Sequence, residues 1–579
     1  MSDDTPKGLR RNLTHYGDRE FALYLRRSFA QATGLSIELL NRPIVGITQT
    51  ASGFNNCHRY VPELVEAVKR GVIRAGGLPL EFPTISLGEV FLSPTSLVYR
   101  NLMSVDTEEM IRAQPMDAVV LVGGCDKTVP AQLMGAASAD IPAIQLVTGP
   151  MMAMPYHGER LGACTDCRRF WGKYRAGEVD AQQIEEVEGD LATTAGTCAV
   201  MGTASTMACI AEALGMALPG SASIPAVHAD RLRAAEAAGA RAVALAAEGV
   251  KPSHIITPDS VRNALRVLLA VGGSTNAVVH LTAIAGRRGI EVSLSELNRI
   301  SDETPVLVDL KPTGQHYMQD FHAAGGMQVL LQELKEMLAL DCLTVSGETL
   351  GQRLARPVPY ADHGVIRARD APFQRTGGLA ALFGNLAPRG AIIKRSAADP
   401  GLFEREGRAV VFESLEDLAN RIDAPDLDVT PDDFLVLQNA GPSSPAGMPE
   451  AGYLPIPKKL ARAGVKDMVR ISDARMSGTA YGTVVLHVTP DAASGGPLAL
   501  VHSGDRIALS VRDRKLELLV GETELARRRA AWRPAPAPKR GYAKLYADHI
   551  LQADAGCDFD FLRGEPDGGP VSRGSYGGR

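Results

Sequence analysis

Two short apolar runs, Ile44 to Thr48 and Ala118 to Val122, each pass directly into a polar, glycine-containing loop that carries a cysteine. Runs of this length and β-branched content read as strands buried on both faces of a parallel sheet, and Ala143 to Val147 reads likewise. Helical patterns alternate with them. Pro62 to Ala75 places Leu64, Val65, Val68, Val72 and Ile73 on one face and stops at Gly76-Gly77. Repeated strand–loop–helix units predict a layered α/β domain. The strand-to-helix loops of a parallel sheet gather at one end of the strands, where ligands bind.

Three cysteines occupy loops that lead into helices: Cys57 in Gly53-Phe54-Asn55-Asn56-Cys57-His58, Cys125 in Gly123-Gly124-Cys125-Asp126-Lys127-Thr128, and Cys198 in Ala195-Gly196-Thr197-Cys198-Ala199. Helix N-termini and neighbouring amides stabilise thiolates. Three thiolates brought together could hold an iron–sulfur cluster and leave one iron without a protein ligand, free to act as a Lewis acid. An isolated cysteine is more often a small buried hydrophobe. Layout alone leaves both readings open for these three. Cys209, Cys342 and Cys557 take the apolar reading. Cys164-Thr165-Asp166-Cys167 lacks the second pair of a closed zinc site and reads as structural or incidental.

The Gly123 to Thr128 run comes close to a phosphate loop but fails the G-x-x-x-x-G-K-[ST] spacing, which excludes nucleotide binding there. Asp126 and Lys127 form either a local ion pair or part of a site for a hard divalent cation. In the second case Lys127 needs carbamylation to offer oxygens. Glu89 and Glu450 lie in glycine- and proline-rich surroundings that can place carboxylates around Mg²⁺, although singly each reads as surface charge. Ser477 lies in Asp473-Ala474-Arg475-Met476-Ser477-Gly478-Thr479, not in the G-x-S-x-G elbow of a hydrolase. On spacing alone it is a turn serine, and Gly272 to Asn276 is a turn and N-cap.

A chain of 579 residues needs two or more domains. Helices are predicted over Thr206 to Leu214, Ser260 to Leu269 and Asn276 to Ala285. After about Arg375 the pattern changes to turns and short β-like runs: Ala391 to Lys394, Ala409 to Phe412, Phe434 to Leu437, Val484 to Val488, Ile507 to Val511 and Leu516 to Val520. The expected organisation is an α/β domain over 1–375 and a smaller β-barrel-like domain over 376–579. Pro534-Ala535-Pro536-Ala537-Pro538 is a stiff spacer before an arm, and the tail from Arg563 is expected to be mobile.

With 45% apolar and 22% charged residues and a net charge of -5, the chain reads as a soluble globular protein. Arg26-Arg27 and Arg527-Arg528-Arg529 read as solvated surface, so no nucleic-acid partner is expected. No apolar run reaches the ~20 residues of a membrane span. Met1-Ser2-Asp3-Asp4 lacks the apolar core of a secretory signal. The expected location is the cytoplasm, where the eight cysteines would stay reduced.

Taken together, Gly124 to Thr128, Gly272 to Asn276 with His280-Leu281, Gly384 to Pro388, Pro445 to Glu450, Asp473 to Gly478 and Gly504-Asp505 resemble the dihydroxyacid dehydratase / phosphogluconate dehydratase family. The resemblance covers nearly the whole chain. It implies an α/β domain and a β-barrel-like domain with the site between them, in a homodimer or homotetramer. It also implies Cys57, Cys125 and Cys198 as cluster ligands, with Glu89, Asp126, Lys127 as the carbamate, and Glu450 around Mg²⁺. Ser477 matches the catalytic base, with Thr479 beside it.

The chain departs from the branched-chain amino-acid branch at Asn56-Cys57-His58, Thr197-Cys198-Ala199-Val200 and Asp473-Ala474-Arg475-Met476. Glu89 stands where an aspartate is common. The Glu89 run and the Gly541 to Leu562 segment are similar to pentonate dehydratases, which implies a sugar-acid substrate and a [2Fe–2S] cluster. Three cysteines leave [4Fe–4S] open. Two rival readings are a dihydroxyacid dehydratase of branched-chain amino-acid synthesis and a non-catalytic iron–sulfur sensor.

Overall fold

The computed structural model describes residues 7–13 and 16–564. The tail expected to be mobile therefore lies, from residue 565, outside the described residues, as does the Met1-Ser2-Asp3-Asp4 start. Among the described residues no helix is long and apolar enough to cross a membrane.

Strands β1 (Ile44–Gln49), β2 (Leu78–Pro83), β3 (Ala118–Gly123) and β4 (Ala143–Val147) form a parallel sheet in the order β2-β1-β3-β4. Every residue of β3 and β4 is buried, so these strands show no polar alternation. β2 carries Pro79 and Pro83, and it sits at the edge, where a missing N–H is tolerated. Those prolines hide it from a strand reading. The predicted helices form over Val61–Arg74, Thr203–Ala213, Pro258–Ala270 and Asn276–Gly286. They share one core with the sheet, in which Val45, Val120, Ile144, Leu268 and Leu281 are fully buried.

A hairpin, β5 (Met154–Tyr156) and β6 (Glu159–Leu161), precedes the helix Thr165–Ala176. The second sheet contains β7 (Ala380–Leu382), β8 (Gly390–Ile393), β9 (Glu404–Phe412), β10 (Phe434–Leu437), β11 (Arg470–Ser472), β12 (Val484–Thr489), β13 (Arg506–Ser510) and β14 (Lys515–Leu518). Its order is β14-β13-β9-β10-β11-β12-β8-β7. Phe383, just past β7, donates to Arg514 O and accepts from Leu516 N, both at 2.8 Å, so the two ends of the sheet meet. The result is barrel-like. Ala409 and Val411 face a core with Val436 and Ile471, whereas Val410 and Phe412 face another with Leu435 and Leu437.

After the proline spacer the chain returns to the α/β domain. Asp558 accepts from Arg287 at 2.5 and 3.0 Å, and both groups are buried. Arg100 and Asn101 donate to the Cys557 carbonyl. The predicted arm is thus clamped against the first domain by buried cations.

Candidate active site

Cys125 is the first residue of the helix Cys125–Ala139, directly after β3. Its φ of +67° is uncommon for a residue with a Cβ, and such backbone persists where surrounding structure over-determines it. His58 supplies part of that constraint. Its Nδ1–H donates to the Thr50 carbonyl at 2.8 Å, while Nε2 accepts the Gly124 N–H at 2.9 Å. Burial pushes the imidazole below its ordinary range and keeps it neutral for this role. Asn55 accepts from Cys57 N at 3.1 Å and donates to the Leu87 carbonyl at 2.9 Å. One asparagine and one histidine thereby tie the loops of Cys57, Cys125 and Glu89 together.

The thiols of Cys57, Cys125 and Cys198 all face a cavity of about 1190 Å³. The Cys125 sulfur and burial raise the Cys57 thiol well above its usual range. Cys164 and Cys167 line the same cavity, and Cys164 Sγ lies 3.3 Å from Cys198 Sγ. Hydrogen bonding to Cys167 and Cys198 pulls the Cys164 thiol down. The sequence reading left the C-x-x-C pair outside the site because sequence spacing does not show which loops meet.

Glu89, Asp126 and Glu450 each offer a carboxylate oxygen, and the three oxygens lie within 4.8 Å of one another. Lys127 is fully buried among them, with Nζ 2.9 Å from Glu89, 3.4 Å from Asp126 and 3.7 Å from Glu450. Arg475 closes the group from the other side, at 2.8 Å from Glu89 and 2.6 Å from Glu450. Burial alone would raise the Glu89 carboxyl, but Arg475 and Lys127 hold it well below the usual carboxylate range. Burial raises Asp126, and burial with the Glu89 charge raises Glu450. Three crowded carboxylate oxygens suit a hard divalent cation, and five thiols facing one cavity suit an iron–sulfur centre. Both donor sets therefore fit the groups that the sequence implied.

Ser477 and Thr479 line the same cavity, with Oγ and Oγ1 at 2.8 Å. Gly478 between them has no room for a side chain, since a Cβ there would lie 2.6 Å from Thr203 N. Thr165 donates to the Thr479 carbonyl at 3.0 Å, and buried Lys394 donates to the Gly478 carbonyl at 3.4 Å. The serine turn is thus held from three sides.

The structure adds Arg475, Asn276 and Arg168 to the site. Asn276 donates to Glu450 at 3.5 Å. Arg168 lines the cavity with its guanidinium 4.8 Å from the Tyr453 ring centre, and its buried Nε has no hydrogen-bond partner. Arg475 and Asn276 stand inside motifs already singled out, so their polarity was the available signal. Arg168 directly follows the Cys164 to Cys167 motif, which on sequence alone reads as structural or incidental.

Two family models match the chain: the dihydroxy-acid/6-phosphogluconate dehydratase N-terminal model over residues 42–353 and the C-terminal model over 364–557. The chain belongs to the dihydroxy-acid/6-phosphogluconate dehydratase family. It is therefore an enzyme of the hydro-lyase class. An L-arabonate dehydratase of Azospirillum brasilense is 48% identical over 96% of this chain and 97% of its own length. A 6-deoxy-6-sulfo-D-gluconate dehydratase of Pseudomonas putida is 45% identical over 93% and 94%. A dihydroxy-acid dehydratase of Caldanaerobacter subterraneus subsp. tengcongensis is 38% identical over 92% and 96%. Within this family the chain is more similar to these two dehydratases of sugar-derived acids than to that dihydroxy-acid dehydratase.

Proposed function

We propose that this family member removes water from an aldonic acid, with a pentonate as the preferred substrate, to give the 2-keto-3-deoxy acid. The observation that carries the reading is one cavity shared by the thiol group, the Glu89–Asp126–Glu450 carboxylates and Ser477. Higher identity to relatives named for sugar-derived acids supports the substrate class.

Cys57, Cys125 and Cys198 would hold a [2Fe–2S] cluster. Glu89, Asp126, Glu450 and Lys127 as its carbamate would hold Mg²⁺. When bound, the two centres supply Lewis acidity for orienting the substrate, acidifying its C2 proton and weakening its C3–O bond. Ser477, as the alkoxide, takes the C2 proton. The C2–H electron pair forms the C2=C3 bond as the C3–O bond breaks, and hydroxide leaves to become water on protonation. The enol then tautomerises to the keto acid. Thr479 orients the Ser477 oxygen through the 2.8 Å contact. A serine is a weak base in water, so its burial and the cationic surroundings are part of the chemistry. Arg168, whose buried Nε–H has no hydrogen-bond partner, offers a cation and a free donor to an anionic substrate.

The reading places the enzyme in the cytoplasm, as a homodimer or homotetramer. The cysteines, all free, are suited to a reducing compartment. The test is a turnover comparison under anaerobic conditions with Mg²⁺. Formation of 2-keto acid from aldonates supports the reading, and selective turnover of 2,3-dihydroxyisovalerate overturns it.

A further inference from the structure

Lys394 is the first residue beyond β8, and it is fully buried. β8 pairs with β12 through Ile393 and Val485, and the loop that carries Ser477 joins β11 to β12. The chain after Lys394 is tied to that same loop, where the Ala397 carbonyl accepts from Gly482 N at 2.7 Å. The barrel therefore fixes the root of the lysine beside the serine turn. Its Nζ donates to the Gly478 carbonyl at 3.4 Å, and this is its only side-chain hydrogen bond among the described residues.

A fully buried lysine is ordinarily matched by a carboxylate, because an uncompensated ammonium in the interior is costly. Lys394 has no such match. Burial is the one influence that moves its amine, so no charged side chain stands close enough to offset or oppose it. The negative charge that the proposed chemistry creates next to it is on Ser477, whose neighbour Gly478 the lysine holds. The Ser477 oxygen is itself buried, with Thr479 Oγ1 at 2.8 Å, and in such low-dielectric surroundings a fixed cation acts strongly on a nearby charge. Lys394 does not line the cavity, so it acts through the serine and not on the substrate.

We propose that Lys394 is a positioning residue of the dehydration, which holds the serine turn through Gly478 and, as the ammonium, offsets the charge of the Ser477 alkoxide. The inference rests on the reading of Ser477 as the base. Lys394 keeps its proton throughout and forms no bond to substrate. The charged groups that share the Ser477 cavity, Glu89, Asp126, Glu450 and Arg168 among them, stay the same when Lys394 alone is changed.

The test compares the loaded wild-type chain with Lys394→Met, Lys394→Gln and Ser477→Ala in anaerobic turnover of L-arabonate across pH. Lys394→Met removes both the charge and the donor, whereas Lys394→Gln keeps an N–H donor without the charge. Replacing an unmatched buried charge by a group of similar size is often neutral or stabilising, so both variants should fold, with iron content equal to wild type. In both, kcat should fall by about 10²-fold with KM changed by less than about 2-fold, the pattern of a group that acts in the transition state. The acidic limb of the kcat profile, which reports deprotonation of the base, should move to higher pH in both, because loss of a cation disfavours the alkoxide. A lysine that only props the turn would leave that limb in place. An unmoved limb, or a Lys394→Gln enzyme with wild-type kcat, therefore overturns the charge role. A Lys394→Met enzyme within about 3-fold of wild-type kcat overturns the proposal entirely. If that occurs while Ser477→Ala is inactive, the serine reading stands and only the lysine proposal falls. Retained turnover in Ser477→Ala overturns both together.

Discussion

Ser477 Oγ lies 2.8 Å from Thr479 Oγ1, and the carbonyl of the glycine between them accepts from Lys394. This fixes a hydroxyl on the wall of the cavity that also holds the carboxylate and thiol groups. Ser477→Ala should lower kcat by about 10³-fold, in the range for a lost general base. The cluster absorption spectrum and the iron content should stay unchanged. Retained turnover removes Ser477 from the mechanism.

Arg475 pairs with Glu89 and Glu450 while only 2% exposed. In Arg475→Met, measured in EDTA, those half-buried carboxylates lose the buried guanidinium that bridges them. Urea unfolding should show a loss of about 3–5 kcal/mol. Adding Glu450→Gln should recover part of that loss, because it removes one uncompensated charge. A single-variant loss below about 1 kcal/mol contradicts the burial argument.

Burial holds the Lys394 amine at about 7, against an ordinary value of 10.5. Below pH 7 both folded and unfolded chains carry the proton, and the folded chain bears the cost of a buried ammonium. Between pH 7 and 10.5 the unfolded chain binds the proton that the folded chain has released, so stability rises with pH there. Relative to Lys394→Met, wild type should gain up to about 1.4 kcal/mol per pH unit in urea unfolding from pH 7 to 9. A difference that stays flat across that window contradicts the assignment.

The arm is held by the buried Arg287–Asp558 pair. Asp558→Asn leaves the guanidinium without its bidentate carboxylate and should cost about 3–5 kcal/mol. Limited proteolysis should then cut within 534–540 sooner than in wild type. An unchanged cleavage rate would show that the aromatic contacts of Tyr542, Tyr546 and Phe559 hold the arm without the ion pair.

The strands legible in the sequence were those whose burial leaves an unbroken apolar run, such as Ala118 to Val122. β2 was not legible because its prolines satisfy an edge position that only the assembled sheet defines. The short strands β7 and β11, of three residues each, depend on their neighbours for pairing and carry too little pattern of their own. In the site, Cys125, Asp126 and Lys127 were visible because one helix start carries all three. The meeting of Glu89 with Arg475 joins residues 386 positions apart, and that of Cys164 with Cys198 joins two loops. Neither contact has a sequence period to announce it.

The most direct test of the central claim is an anaerobic assay of the Mg²⁺-supplemented, cluster-loaded enzyme, reading 2-keto acid formation. The panel comprises L-arabonate, other pentonates, hexonates and 2,3-dihydroxyisovalerate. The account predicts turnover of aldonates, fastest with a pentonate, and kcat/KM for 2,3-dihydroxyisovalerate at least about 10²-fold lower. Preferred turnover of 2,3-dihydroxyisovalerate, or none of the panel turned over by enzyme with an intact cluster, would contradict it.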